Sequence, residues 1–291
     1  MRVLNFGSLN YDYVYAVDHI SLPGETLSSK SMKVYCGGKG LNQSVALARA
    51  GVHVYHAGTV GSDGDKLVSV SVDNEIDISL LRRIDEVSGH AIIQVDRSGQ
   101  NSILLHGGAN MLQTRDYVDK VLSHFNEGDI ILLQNEINLL DYIITKSYER
   151  KLIIILNPSP YNSQLSECNL DMVSVFILNE IEGNYLTEES NPGNILEKMR
   201  KIYTNADIVL TLGDKGAYYM QGQEIYYQEA FRVVAVDTTG AGDTFTGYFV
   251  SGLIQGLTPA ENLRRSAKAA AMAVSRSGAT TSIPMSCEVD Y

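Results

Sequence analysis

Short, unbroken apolar runs alternate along this chain with stretches whose apolar residues recur at helical spacing. The runs fall at 3–6, 52–59, 130–134, 152–156, 173–178 and 208–212. Lacking polar alternation, they suit strands buried on both faces. The intervening stretches 41–50, 114–124, 139–150 and 194–203 read as helices with one apolar face. Alternation of the two kinds predicts an α/β fold, a three-layer αβα core around a mostly parallel sheet. Two segments break the rhythm. Residues 12–34 and 91–105 read as hairpins, the second turning at Asp96-Arg97-Ser98-Gly99-Gln100-Asn101. They are expected to join as a small β-sheet lid over one end of the core. With 291 residues, no repeat and no low-complexity linker, a single domain over 1–291 is expected.

Composition narrows the function. No apolar run approaches the roughly 20 residues of a membrane-spanning helix, and the opening residues reach Gly7 too soon for a secretory leader. A cytoplasmic protein with no membrane partner is expected. The formal charge of -11 disfavours a general nucleic-acid binder, which needs a basic surface. Cys36, Cys168 and Cys287 form no CxxC pair, so neither a disulfide framework nor a zinc site is indicated.

The densest chemistry lies at Asp237-Thr238-Thr239-Gly240-Ala241-Gly242-Asp243-Thr244-Phe245. Residues 232–236 read as a strand before it, and an amphipathic helix is expected after it, to about Gln255. Gly240 and Gly242 let a ligand approach the backbone, and first-turn N–H groups lack intrahelical acceptors, which makes an anion hole for phosphate from Gly240, Ala241 and Gly242. Asp243 at the same helix start is favoured as a carboxylate by the helix dipole, and so can accept a proton from an attacking hydroxyl. Taken alone, the motif is equally a helix cap after a glycine turn. The chain has no Gly-x-x-x-x-Gly-Lys-Ser/Thr loop, and Phe245 stands where a dinucleotide fingerprint needs Gly or Ala.

This nonapeptide resembles the signature of the ribokinase, or phosphofructokinase-B, family of carbohydrate kinases. Other stretches are similar to the family's in the same order: Gly7-Ser8-Leu9-Asn10-Tyr11-Asp12, Gly37-Gly38-Lys39-Gly40-Leu41-Asn42-Gln43, Gly107-Gly108-Ala109-Asn110, Gln134-Asn135-Glu136, Asn179-Glu180-Ile181-Glu182 and Thr211-Leu212-Gly213-Asp214-Lys215-Gly216. The resemblance spans about residues 3 to 284. It implies ATP-dependent phosphorylation of a sugar hydroxyl, ribose first, with a nucleoside, deoxyribose or a hexose derivative as alternatives; a regulator that only binds sugar or nucleotide is the reading from another class. Asp243 is then the base, and Asn10, Asp12, Gly38, Lys39, Asn42 and Glu136 hold sugar hydroxyls. Asn179, Thr211, Gly213, Gly216 and Gly242 bind ATP, and Glu182 helps to hold Mg²⁺ through water. Asp237, Thr239, Ala273, Arg276, Gly278 and Ser282 supply oxygens to a monovalent cation, K⁺.

Each assignment has a plainer counterpart. Asn10 and Asp12 also suit a turn after a strand, Lys39 a solvated surface, Glu136 a cap for the helix that follows, and the 276–282 loop mere packing against a small-residue helix. The chain departs from the family pattern at Tyr11 and Leu41, which raises the expectation of a reshaped sugar pocket. It also departs at 61–72, where Val68-Ser69-Val70-Ser71-Val72 is poor helix sequence. The end seven residues past Pro284 predicts that a final family helix is missing and an apolar patch exposed. Pairing of two lids is expected, through unpaired edges at 91–95.

Overall fold

The computed structural model describes residues 1–290. Its strands are β1 (Val3–Phe6), β2 (Asn10–Ala16), β3 (Ser31–Gly37), β4 (Val54–Val60), β5 (Leu81–Arg83), β6 (Gly89–Val95), β7 (Asn101–His106), β8 (Ile130–Gln134), β9 (Ile153–Asn157), β10 (Val175–Asn179), β11 (Asp207–Thr211), β12 (Ala217–Gln221) and β13 (Glu224–Gln228). Its helices are α1 (Lys39–Arg49), α2 (Asp65–Asp73), α3 (Arg115–Leu122), α4 (Leu140–Glu149), α5 (Glu180–Thr187), α6 (Pro192–Ile202), α7 (Ala241–Gln255), α8 (Pro259–Val274) and α9 (Ser286–Val289).

Nine strands form one sheet in the order β13-β12-β11-β10-β9-β8-β1-β4-β5, parallel except for the antiparallel β11-β12-β13 edge. Successive residues of a strand face opposite sides, and in these runs both sides are apolar. Val3, Ile130 and Leu132 join a core with α1, α7 and α8; Leu4, Phe6, Ile131 and Leu133 join a second core with α3, α4 and α6. That is why the strands carry no polar alternation. From β1 the chain order runs one way through β4 and β5 and the other way through β8 to β11, so the sheet reverses at β1/β8. Open α/β sheets bind ligands at the carboxyl ends of their strands beside such a reversal.

The second sheet, β3-β2-β6-β7, is separate from the nine-stranded one and meets the first core through Tyr11 and Cys36. Its β2 and β6 run parallel and its outer pairs antiparallel. Residues 91–95 are therefore not an unpaired edge: β6 is bonded on both sides, and β3 and β7 are the edges. Three further local expectations change. Residues 232–236 form no strand but an extended, exposed segment that reaches the end of α8 through Val236 N–H and Asp237 N–H donating to Val274 O. Residues 65–73 are helical despite poor propensity, because Leu67 packs fully buried in the core and Ser71 turns its hydroxyl inward onto Leu67 O. Finally, α7 is not amphipathic. Every residue from Asp243 to Gly252 is buried, as expected of a helix apolar around its circumference.

Close packing of α7 against α1 positions the site. A Cβ at Gly247 would run into Ala46, so the helices approach there at backbone distance. One turn back on each helix lie Asp243 and Asn42.

Candidate active site

Gly240 is the N-cap of α7 and takes the left-handed conformation, φ 75° and ψ 3°. An L side chain resists that conformation, and a Cβ there would also press on Ala279. Ala241, Gly242 and Asp243 follow as the first helical turn, where N–H groups have no acceptor within the helix. Asp243 is 7% exposed. Its Oδ2 accepts from Asn42 Nδ2 at 2.8 Å and its Oδ1 from Gln43 Nε2 at 2.9 Å. Both donors come from α1, so the carboxylate is held by a second helix as well as its own.

Around it stand one ammonium and three more carboxylates. Burial by itself would push the Lys39 ammonium down, but Asp243, Glu136, Glu182 and Asp12 together outweigh it and hold the group above the ordinary lysine value. Asp12 shows the reverse balance. Burial first, then Glu136 and Asp243, raise its carboxyl to about 7 against the opposing Lys39. Glu136 caps a helix, though not the one that follows it: its Oε2 accepts the Lys39 backbone N–H at 3.0 Å and the Ser8 hydroxyl, at the start of α1. Asn10 is buried at the start of β2 with its Oδ1 accepting from Asn110 Nδ2 at 2.7 Å. The sheet ends and α1 thus bring Asn10, Asp12, Gly38, Lys39, Asn42 and Glu136 to one side of Asp243.

On the other side are two adjoining cavities. A polar one of about 250 Å³ is bounded by Lys39, Asn157, Asn179, Glu182, Gly242 and Asp243. A larger one of about 670 Å³ lies against Gly213, Gly216, Phe231, Val233, Phe245 and Ala271. Thr211, Thr238 and Gly242 line both. Asn179 and Glu182 also form a reciprocal helix cap for α5: Asn179 Oδ1 accepts the Ile181 and Glu182 N–H groups, and Glu182 Oε2 accepts the Asn179 N–H at 2.8 Å. The cap fixes both side chains at the cavity wall.

Asp237 joins the segment before α7 to the loop after α8. Its Oδ1 accepts from Thr239 N–H and its Oδ2 from Gly278 N–H, each at 2.9 Å. Burial opposes its charge, yet these bonds win and hold its carboxyl below the usual value. Ser282 is fully buried in the same loop, donating to Ala279 O. Arg276 N–H donates to Ala273 O, and the Arg276 guanidinium pairs with Glu288 at 2.6 Å. Among the described residues no group of three or more His, Cys, Asp or Glu is placed to hold a metal.

Sequence reasoning passed over Gln43, Asn157 and Ser8. Gln43 stands in the motif beside Asn42, but nothing in the motif says that both neighbours reach one carboxylate. The departures at Tyr11 and Leu41 prove to face away from the site. Tyr11 alternates with Asn10 and Asp12 and donates its hydroxyl to Asp63 O, and Leu41 is fully buried in the core.

The family model for pfkB carbohydrate kinases matches residues 2–285. The chain belongs to this family. The ribokinase of Haemophilus influenzae is 33% identical to it over 287 residues, 96% of this chain and 94% of that protein. Among solved structures, the ribokinase of Cryptococcus neoformans with ADP superposes with a TM-score of 0.88 at 34% identity, covering 99% of this chain and 98% of that one. The Arabidopsis thaliana ribokinase complexed with ribose and ATP gives 0.85 at 29% identity, covering 99% and 97%. This pfkB kinase is thus an ATP-dependent sugar kinase, with the αβα core and smaller sheet of the ribokinase fold. No helix among its described residues is long and apolar enough to cross a membrane.

Proposed function

We propose that this kinase transfers the γ-phosphoryl group of ATP to the 5-hydroxyl of D-ribose, giving ribose 5-phosphate and ADP in the cytoplasm. The observation that carries the reading is the position of Asp243, with sugar-type donors and acceptors on one side and a phosphate-sized polar cavity on the other. Its similarity to ribokinases over nearly the whole chain supports ribose as the acceptor.

A polyol needs donors and acceptors in turn. Asn10 keeps its amide N–H₂ for a hydroxyl because its oxygen is engaged by Asn110; Asp12 and Glu136 accept, while Asn42, Lys39 and the backbone at Gly38 complete the ring of contacts. Asp243 takes the proton of the attacking hydroxyl, whose oxygen bonds to the γ-phosphorus as the bond to ADP breaks. Charge spreading over the phosphoryl oxygens is met by N–H groups of the 240–243 turn and by Lys39. The apolar cavity suits a nucleobase, with Asn179, Thr211, Gly213 and Gly216 along the way to the phosphates. Glu182 is an oxygen donor beside the polar cavity and would help to hold Mg²⁺, which usually takes few protein ligands. The ion would neutralise phosphate charge.

The loop tied by Asp237 supplies oxygen donors only, which fits a monovalent cation held by Asp237, Thr239, Ala273, Arg276, Gly278 and Ser282. Potassium is accordingly expected to raise both turnover and melting temperature above the values in sodium. Equal values in the two salts would remove that site without touching the kinase reading. Lids are expected to pair in a homodimer through β3 or β7, whose Ile103 and Leu104 are exposed.

ADP release measured across ribose, deoxyribose, nucleosides and hexose derivatives tests the acceptor. Ribose should give the highest kcat/KM; release favouring a nucleoside would replace it. A pH series checks Asp12. With its carboxyl raised to about 7, ionisation on going from pH about 6 to about 8 adds an acceptor, so the KM for ribose should fall over that interval. Asp12→Asn should flatten the change.

A further inference from the structure

Gln43 holds Asp243, and what holds Gln43 is a buried row of amides running back to α1 at Gly40 and Ser44. Gln43 Nε2 donates to Asp243 Oδ1 at 2.9 Å and to Asn157 Oδ1 at 3.1 Å. Its Oε1 accepts from Gln134 Nε2 at 2.7 Å, and the same Gln134 nitrogen donates to Asn5 Oδ1 at 2.9 Å. Asn5 Nδ2 donates to Gly40 O at 2.6 Å and to Ser44 Oγ at 2.7 Å. Asn5, Gln43 and Gln134 are fully buried, so water cannot rescue a wrong orientation.

An amide's two ends are nearly equal in size, and only its partners decide which way it points. Here the row has a fixed end. A backbone carbonyl can only accept, so Gly40 O requires the nitrogen of Asn5, which turns the Asn5 oxygen to Gln134. That oxygen requires the nitrogen of Gln134, which requires the oxygen of Gln43 on the near side and so places the Gln43 nitrogen against Asp243. A second fixed end agrees: Asn157 Nδ2 donates to Ile177 O at 2.8 Å, leaving Asn157 Oδ1 to accept from Gln43. The arrangement even leaves Gln134 Oε1 buried without a partner. Turning Gln134 over would set oxygen against oxygen at both Gln43 and Asn5.

We propose that Gln134 and Asn5 are positioning residues for the phosphoryl transfer, acting through Gln43 to keep an N–H donor, never a carbonyl, against Asp243. This rests on Asp243 being the base. A glutamine turned the wrong way would set its oxygen beside a carboxylate oxygen and push the Asp243 side chain off its line to the sugar hydroxyl. The charges around Asp243, Lys39 on α1, Glu182 on α5, Asp12 on β2 and Glu136 after β8, are untouched by a change at Gln134.

A double-mutant cycle tests it. Gln134→Met keeps the volume and removes the donor; it should lower kcat about tenfold, the upper scale of a lost bond between neutral groups, with KM for ribose and ATP within about twofold of wild type. Gln43→Met should lower kcat at least as far. The double variant should be no slower than Gln43→Met alone, because Gln134 has nothing left to orient. If the two losses multiply, or if Gln134→Met moves KM and leaves kcat alone, the inference is overturned. Gln134→Glu offers oxygen where Gln43 needs a donor and serves in the same cycle if the methionine variant does not fold. Failure of the underlying reading is told apart by Asp243→Asn: wild-type turnover there removes the base itself, whereas an inactive Asp243→Asn with multiplying losses removes only the role of Gln134.

Discussion

Asp243→Asn is expected to lower kcat for ribose-dependent ADP release by about a thousandfold, the scale of losing a positioned general base. The substitution keeps size and hydrogen-bonding shape, so KM for ATP should stay within a few-fold of wild type. One contact does change. Asn42 and Gln43 each present an N–H to a carboxylate oxygen, and an asparagine can offer an oxygen to only one of them. A small fall in melting temperature should therefore accompany the lost turnover. A variant that keeps a tenth or more of the wild-type kcat would mean that the proton goes elsewhere.

The second large effect is expected at Lys39. The ammonium stands among Asp243, Glu136, Glu182 and Asp12. Lys39→Met removes the one positive charge that these carboxylates share and leaves the developing phosphoryl charge with backbone donors alone. A fall of about a hundredfold in kcat/KM for ATP is expected, in the range of losing one preorganised donor. Stability should respond too, with a sign that pH reveals. Asp12, raised to about 7 even with Lys39 pulling it down, is harder still to ionise without that charge, so the variant should gain more melting temperature than wild type does as pH falls from about 7 toward about 5. Lys39→Arg keeps the charge and should recover most of the stability with only part of the rate.

His56 works in the opposite direction, against the share that Asp12 already contributes in wild type. Buried without solvent, His56 is pushed down to about 4. The unfolded chain therefore takes up a proton near pH 6.5 that the folded protein refuses, and this share of stability is lost as pH falls from about 6.5 to about 4.

How far the sequence alone reached follows from which forces act locally. Strands β1, β4 and β8 to β11 were legible because burial on both faces leaves unbroken apolar runs, and the start of α7 was legible because the stretch 237–245 resembles a family signature supported by other motifs in the same order. The segment 232–236 was misread because its valines imitate a strand; Val234 is in fact 84% exposed, while its neighbours Val233 and Ala235 line the larger cavity. The helix at 65–73 was obscured for the converse reason: packing of Leu67 overrides weak propensity. At the candidate site the side chains nearest Asp243 in sequence were easy to nominate. Gln43, Gln134 and Asn5 were not, because their meaning lies in which end of an amide faces which neighbour, and that depends on contacts between elements as far apart as β1, α1, β8 and α7.

Product analysis tests the central claim most directly. With ribose, ATP and Mg²⁺, phosphorus NMR should show ribose 5-phosphate accumulating in step with ADP, with neither formed at an appreciable rate when ribose is left out. Inorganic phosphate and ADP appearing at the same rate with and without any sugar would contradict the account, since the Asp243 site would then be activating water rather than a sugar hydroxyl.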